Sequence, residues 1–423
     1  MNLKRTPKEF KNPFTPGAGH YPPFLAGRDK EIEEFEEFLN QKVILNNLIL
    51  TGLRGVGKTV LLETFKQSAI QKGWYWVGTD MSQSTSTSER RITIRLLADL
   101  AVVTSAVVIG KTERQEREYI RSRMGFITRK IEDDQTLNFN LLFSIYENTP
   151  GLPSDKLKSV LEIAWHFISL EDRPGVVFAY DESQNLGDNP RRERYPLSLL
   201  LDVFQSIQRK SIPFMLVLAG LPTIFPKLVA TRTYSERMFH VMTIDRLGKD
   251  DSKEAITVPT QQEGCLVTFN SESEDLVCET SGGYPYFIQF ICKEVYDIWI
   301  QRYRTDKSVD KLPSVPIYEI LRKLDDDFFL GRFSLATDRQ REVLFLISKL
   351  SNCDQEFSVK EIEEMSRTTP KPFRSSQINQ MLGSLIDKGL VYKNRHGKYS
   401  FAVPLLGQFL QRLSERQSER QAK

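Results

Sequence analysis

The chain has 423 residues, 40% of them apolar and 27% charged, an ordinary composition for a protein folded in water and too long for one compact core. Four widely spaced cysteines (Cys265, Cys278, Cys292, Cys353) without a C-x-x-C pair, and only four histidines, exclude a disulfide framework or a zinc cluster and point to a reducing, cytoplasmic setting. The net charge of +3 is uneven: residues 371–423 hold ten Lys/Arg against three Asp/Glu, hence +7, so residues 1–370 carry −4. Such a basic end suits an anionic partner.

The first 21 residues are basic and rich in Pro and Gly, with no apolar core segment; they predict a loose arm rather than a signal peptide. A helix follows over 25–39, with Ile32, Phe35 and Leu39 at helical spacing. Then comes LILTGLRGVGKTVLLETF, residues 48–65. Leu48, Ile49 and Leu50 read as a buried strand, and Val60, Leu61, Leu62 and Phe65 as one face of a helix. Between them Gly52, Leu53, Arg54, Gly55, Val56, Gly57, Lys58, Thr59 and Val60 hold the spacing G-x-x-x-x-G-K-[ST]. Glycines let backbone N–H groups close on an anion, and the helix start adds positive potential. Lys58 then reaches β and γ phosphates, and the Thr59 hydroxyl holds Mg2+.

A second strand is predicted over 74–80, where the aromatics of WYW read as core packing in a central strand. Residues 88–108 read as a helix. Their apolar window, 96–110, contains Asp99 and is too short to span a bilayer, so no membrane partner is expected. Residues 111–150 read as an insertion without an assignable structure. A helix over 154–169 and a buried strand in GVVFAYDESQNL follow. Asp181 and Glu182 end that strand, suited respectively to holding Mg2+ and to activating the attacking water as general base. The helix of PLSLLLDVFQSIQRK and a buried strand over 212–223 complete an alternation that predicts a parallel α/β sheet, with ligands at the carboxyl ends of its strands. Arg237 fits either a trans contact to a neighbouring subunit's γ-phosphate or a surface ion pair.

From residue 247 the pattern turns helical, with GGYP as a break and restart. From 337 the order is helix, helix, helix, hairpin, which is that of a winged helix. The second helix of a helix-turn-helix reader, here Ser375 to Lys388, enters a major groove. Its outer face offers Ser376, Gln377, Asn379 and Gln380, and the hairpin adds Lys393, Arg395, His396 and Lys398 for phosphates. The bland alternative is a winged helix used for protein contacts.

The run GRDKEIEEF, GLRGVGKT, FAYDE, VLAGLP, SERMF and GGYPYFIQ resembles the AAA+ ATPases of the origin-recognition type, over roughly residues 22–413. The resemblance implies a P-loop NTPase with a parallel sheet (22–246), a small helical lid (247–330) and a C-terminal winged-helix domain (331–423) behind a flexible arm (1–21). It implies an ATP/ADP switch with Mg2+, coupled to double-stranded DNA or to assembly of a homo-oligomer through Arg237. Gly27 and Arg28 match the segment lining the adenine pocket, and Pro285 the lid's contact with nucleotide. Two departures stand out. The strand ending at Ala219-Gly220-Leu221-Pro222 lacks the family's polar residue, for which Thr223 is the nearest substitute. Tyr286 stands where the family has an arginine. Both imply slow hydrolysis. A signalling or scaffold NTPase whose winged helix meets protein, and a DNA-binding regulator that does not hydrolyse, remain alternatives.

Overall fold

The computed structural model describes residues 12–17, 19–82, 84–106, 136–262, 265, 267–306, 314–395 and 397–421. Two compact units are present: one of Arg28–Gly52 and Leu61–Thr243, the other of residues up to Gly27, Leu53–Val60 and Ile244 onward.

The first unit is a five-stranded sheet with helices. Its strands are β1 (Asn47–Thr51), β2 (Tyr75–Val77), β3 (Val176–Tyr180), β4 (Phe214–Gly220) and β5 (Phe239–Thr243), in the order β2-β3-β4-β1-β5. Every pairing is parallel, with Leu50 opposite Ala219 and Met242. β1, β3 and β4 are buried at every residue, the near-continuous apolar pattern of a parallel sheet covered on both faces. The helices are α1 (Asp29–Leu39), α2 (Lys58–Gln71), which continues the chain out of the loop after β1, α3 (Glu89–Thr104), α4 (Phe139–Asn148), α5 (Pro153–Ile168), α6 (Pro196–Gln208), α7 (Ile224–Thr231) and α8 (Ser235–Met238). Asn138 caps α4 by accepting the Leu141 N–H at 3.1 Å, and Ser88 caps α3.

Three expectations change here. WYW does not lie in a central strand: β2 is three residues long and at the sheet edge, while Trp74, just before it, is buried and donates its indole N–H to the Leu39 carbonyl. Residues 136–150 do have an assignable structure, since Leu142 and Ile145 of α4 belong to the core of this unit; residues 107–135 lie outside the described residues. Asp99, the acid that argued against a membrane span, is buried on α3, paired with Arg95 and accepting the Tyr180 O–H at 3.0 Å. No described helix is long and apolar enough to cross a membrane.

The second unit is helical, with one small sheet. It contains α9 (Lys249–Thr260), α10 (Ser271–Ser281), α11 (Pro285–Thr305), α12 (Ile317–Leu324), a π turn at Asp325–Phe329, α13 (Leu330–Phe333), α14 (Asp338–Ser348), β6 (Phe357–Ser358), α15 (Val359–Ser366), α16 (Ser375–Asp387), β7 (Val391–Arg395), β8 (Lys398–Phe401) and α17 (Leu406–Gln421). α10 stops at Gly282, which takes the left-handed conformation that lets a helix end. α15 starts at a capping box: the Glu361 carboxylate accepts the Ser358 N–H at 2.7 Å, and Ser358 Oγ accepts the Glu361 N–H at 3.3 Å. α14 to β8 is the winged-helix order, with sheet order β6-β8-β7. One continuous core joins Phe287, Phe329, Phe409 and Leu382. Asp325, fully buried at the π turn, pairs with Arg412 at 2.5 Å and Arg416 at 2.9 Å, which fastens α17 to the turn.

The loose arm is also corrected over residues 12–17. Phe14 is 1% exposed in this core, and Asn12 donates to the Lys293 carbonyl and to Asp297. Residues 1–11 lie outside the described residues.

Candidate functional site

The loop after β1 begins with the Gly52 N–H donating to the Gly220 carbonyl at 3.3 Å, the last rung between β1 and β4. Gly55 and Gly57 then take φ values of +78° and +99°, which side chains rarely tolerate. A Cβ at Gly57 would meet nothing within 4 Å, so conformation rather than crowding requires glycine there. Val56 is 1% exposed and anchors the loop, while Lys58 Nζ donates to the Leu53 carbonyl at 2.8 Å across it. Lys58 and Thr59 open α2, so the loop leads directly into a helix start. This cradle fits a nucleotide's phosphates: open space, left-handed glycines, a helix start and one lysine. A Cβ at Gly19 would meet Thr59 Cγ2 at 3.3 Å, so the N-terminal segment runs beside the loop.

Asp181 and Glu182 sit at the carboxyl end of β3. Asp181 is 6% exposed, and its Oδ1 accepts the Glu182 N–H at 2.7 Å. Glu182 is exposed and holds a left-handed backbone at φ +51°. Non-glycine residues rarely sit there, and such strain gathers at functional positions. The Thr59 hydroxyl and the Asp181 carboxylate are hard oxygen donors of the kind Mg2+ takes.

Sequence reasoning missed Gln184 and Asp80. Gln184 Nε2 donates to the Glu182 carboxylate, and its Oε1 accepts the Leu221 N–H at 3.2 Å. Lys227 Nζ donates to the Gln184 carbonyl at 2.9 Å, and burial lowers the lysine's pKa. A Cβ at Gly220 would come within 2.7 Å of Gln184 Oε1. The polar group at the end of β4 is therefore Gln184, supplied from β3, and Gly220 is small to admit it. Thr223 instead stands at the start of α7 without a side-chain cap bond. Asp80 bridges to Asp181 through the backbone; burial, then the charges of Asp181 and Glu182, raise its pKa. An acid at the end of the strand neighbouring β3 was the available signal.

Gly27 has φ +59°, and a Cβ there would lie 2.4 Å from Asp251 Cγ, so only glycine fits. Arg28 is 6% exposed and donates to Glu31 at 3.2 Å. Pro285 is the first residue of α11. Arg237, on the single turn α8, is exposed and has no ion pair among the described residues.

Residues 25–223 match the model of the AAA ATPase domain. Those residues are thus similar to an AAA ATPase domain, and the chain has a fold similar to that of two ORC2 structures. The ORC2 protein of Aeropyrum pernix in its ADP form is 12% identical, with 93% of this chain and 96% of that chain covered and a TM-score of 0.52. The same protein in its ADPNP-ADP complexes is 12% identical, with 96% and 97% covered and a TM-score of 0.50. The Aeropyrum pernix ORC1 protein in complex with DNA gives 15%, 92%, 93% and 0.44. Residues 326–410 match a domain of unknown function, DUF8462. No curated protein matches.

Beyond residues 25–223, Ser376, Gln377, Asn379 and Gln380 are exposed on α16, while Ile378, Leu382 and Leu385 are buried. Gln377 accepts the Arg374 N–H, and Asn379 donates to the Ser375 carbonyl. In the wing, Lys393 is exposed, Arg395 pairs with Glu356 at 2.8 Å, and Lys398 lies 3.8 Å from Glu361. His396 lies outside the described residues.

Proposed function

We propose that this chain binds ATP with Mg2+ and hydrolyses it slowly, as a switch coupled to double-stranded DNA through its winged helix. The observation that carries this reading is the loop itself, with Gly55 and Gly57 left-handed and Lys58 and Thr59 opening α2. Two ORC2 structures of the same fold, with ADP and with ADPNP, support nucleotide binding.

In this reading the N–H groups of Gly55 to Thr59 and Lys58 Nζ hold the phosphates, and Thr59 with Asp181 would hold Mg2+, which supplies charge stabilisation. Glu182 draws the proton from the attacking water. Gln184 orients that carboxylate by tying it to the Leu221 amide. Gly27, Arg28 and Pro285 border the base and ribose. Arg237, exposed and without an ion pair among the described residues, acts on a neighbouring copy's γ-phosphate. Slow turnover follows from Tyr286, which brings no charge.

α16 offers an exposed polar face, and Lys393, Arg395 and Lys398 flank it. A second reading has a specific support: Glu356 and Glu361 already occupy two of these three cations, which favours a winged helix that meets protein. ATP turnover with and without duplex DNA, in the wild type, Lys58→Ala and Glu182→Gln, separates the two. Turnover that rises with DNA and disappears in both variants supports the first. Turnover indifferent to DNA supports the second, and turnover retained in both variants contradicts the catalytic assignment.

A further inference from the structure

Two arginines of the second unit stand beside the phosphate loop, neither paired with an acid among the described residues. Arg54 belongs to the loop; its Nε is buried and has no hydrogen-bond partner. Its Nη2 lies 3.6 Å from where a Cβ would stand at Gly389, just past α16. Arg332, on α13, is half-buried. Its guanidinium lies 4.1 Å over the Phe328 ring and donates to the Phe328 carbonyl at 2.8 Å. Phe328 in turn packs on Tyr286 with ring centroids 5.2 Å apart, and the Tyr286 N–H donates to the Gly55 carbonyl at 3.3 Å. The π turn at Asp325–Phe329 thus presents a ladder, Phe328 on Tyr286 on Gly55, that carries Arg332 to the loop.

Among the described residues neither arginine is in an ion pair. Asp327 is felt by Tyr286 and pairs with neither. Burial, and then the charge of Arg54, push the Arg332 guanidinium down from its usual value, so the two cations repel. A half-buried guanidinium pair without an acid is costly, and an anion relieves both the desolvation and the repulsion. Planar guanidinium forks suit phosphate oxygens.

We propose that Arg54 and Arg332 form an anion site beside the phosphate loop that takes the terminal phosphate of a nucleoside triphosphate. The proposal rests on the nucleotide reading above. A triphosphate fills the site, whereas a diphosphate leaves the two cations facing each other, so the pair discriminates between the two nucleotides.

The test is calorimetric titration of the full chain with a non-hydrolysable ATP analogue and with ADP, both with Mg2+, for the wild type, Arg332→Gln, Arg332→Lys and Arg54→Gln. Losing charge-assisted bonds, Arg332→Gln and Arg54→Gln should each weaken the triphosphate by about tenfold to a hundredfold. ADP affinity should hold or rise, and Arg332→Lys should restore part of the loss. If Arg332→Gln does not fold, the lysine variant and Arg54→Gln carry the comparison. An unchanged triphosphate-to-diphosphate ratio overturns the proposal. So does an unchanged ratio with weaker duplex DNA binding, which assigns the arginines to nucleic-acid phosphates. A wild type that binds neither nucleotide overturns both the proposal and the reading beneath it; a wild type that binds both, with unaltered variants, overturns the proposal alone.

Discussion

The two ends of the five-stranded sheet are built to opposite rules. At the amino end, Asn47 and Gln208 exchange side-chain hydrogen bonds at 3.1 and 2.8 Å. Asn47 also accepts the Leu216 N–H at 2.8 Å and donates to the Met238 carbonyl, and Gln208 donates to the Phe214 carbonyl at 2.7 Å. Its polar groups are paired with one another and shielded from water. At the carboxyl end, Asp80, Asp181 and Glu182 repel, Glu182 is held left-handed, and Gly220 leaves a gap that Gln184 fills. The satisfied network lies at the amino end, and the strain and crowded acids at the carboxyl end, where ligands of parallel sheets bind.

Substitutions at the carboxyl end should spare stability and damage turnover. The largest effect is expected of Glu182→Gln, which removes the general base and should lower kcat by about 10²–10⁴-fold, measured by phosphate release, with thermal stability unchanged. Next comes Arg95→Ala, on the helix that braces Tyr180 just before Asp181. It leaves the Asp99 carboxylate buried without its cation, held by the Tyr180 hydroxyl, and should cost about 3 kcal/mol at pH 7.5 by chemical denaturation. Burial holds the Asp99 pKa above its unfolded value, against the lowering pull of Arg95 and Tyr180. The protonated fold is therefore favoured, and that contribution is lost as pH rises through the folded pKa. The cost of Arg95→Ala should accordingly shrink at pH 5; equal costs at both pH values would contradict the assignment.

Asn47→Ala strands the Gln208 amide and the Leu216 N–H and should cost about 1–3 kcal/mol. Nucleotide affinity should not move, and an affinity loss would blur the contrast between the two ends. The smallest effect is expected of Gln184→Ala, which frees the Glu182 carboxylate from β4. It should lower kcat by about tenfold with KM unchanged, and Gln184→Asn should not fully rescue it, its reach being one methylene short.

The sequence made the loop legible because strand, glycine spacing and helix are local and contiguous, and the acids at Asp181–Glu182 because a buried apolar run ends on them. It hid what depends on strand order. Nothing local says that β4 lies between β1 and β3, so nothing announced that Gln184 would reach Leu221 or that Asp80 would bridge to Asp181. Arg332 was hidden for a related reason, since it reaches Tyr286 only through a π turn some forty residues later in the chain. Phe14 was misread because Pro and Gly around it look like a free arm, while a single buried aromatic is enough to fasten the segment.

The most direct measurement is equilibrium binding of ATP with Mg2+ to the wild type and to Lys58→Ala, checked alongside by thermal unfolding. The account predicts saturable one-site binding in the wild type and a loss of about a hundredfold or more in a variant that unfolds at the same temperature. Equal binding by the two folded proteins, or none by the wild type, would contradict the loop's role as a phosphate cradle.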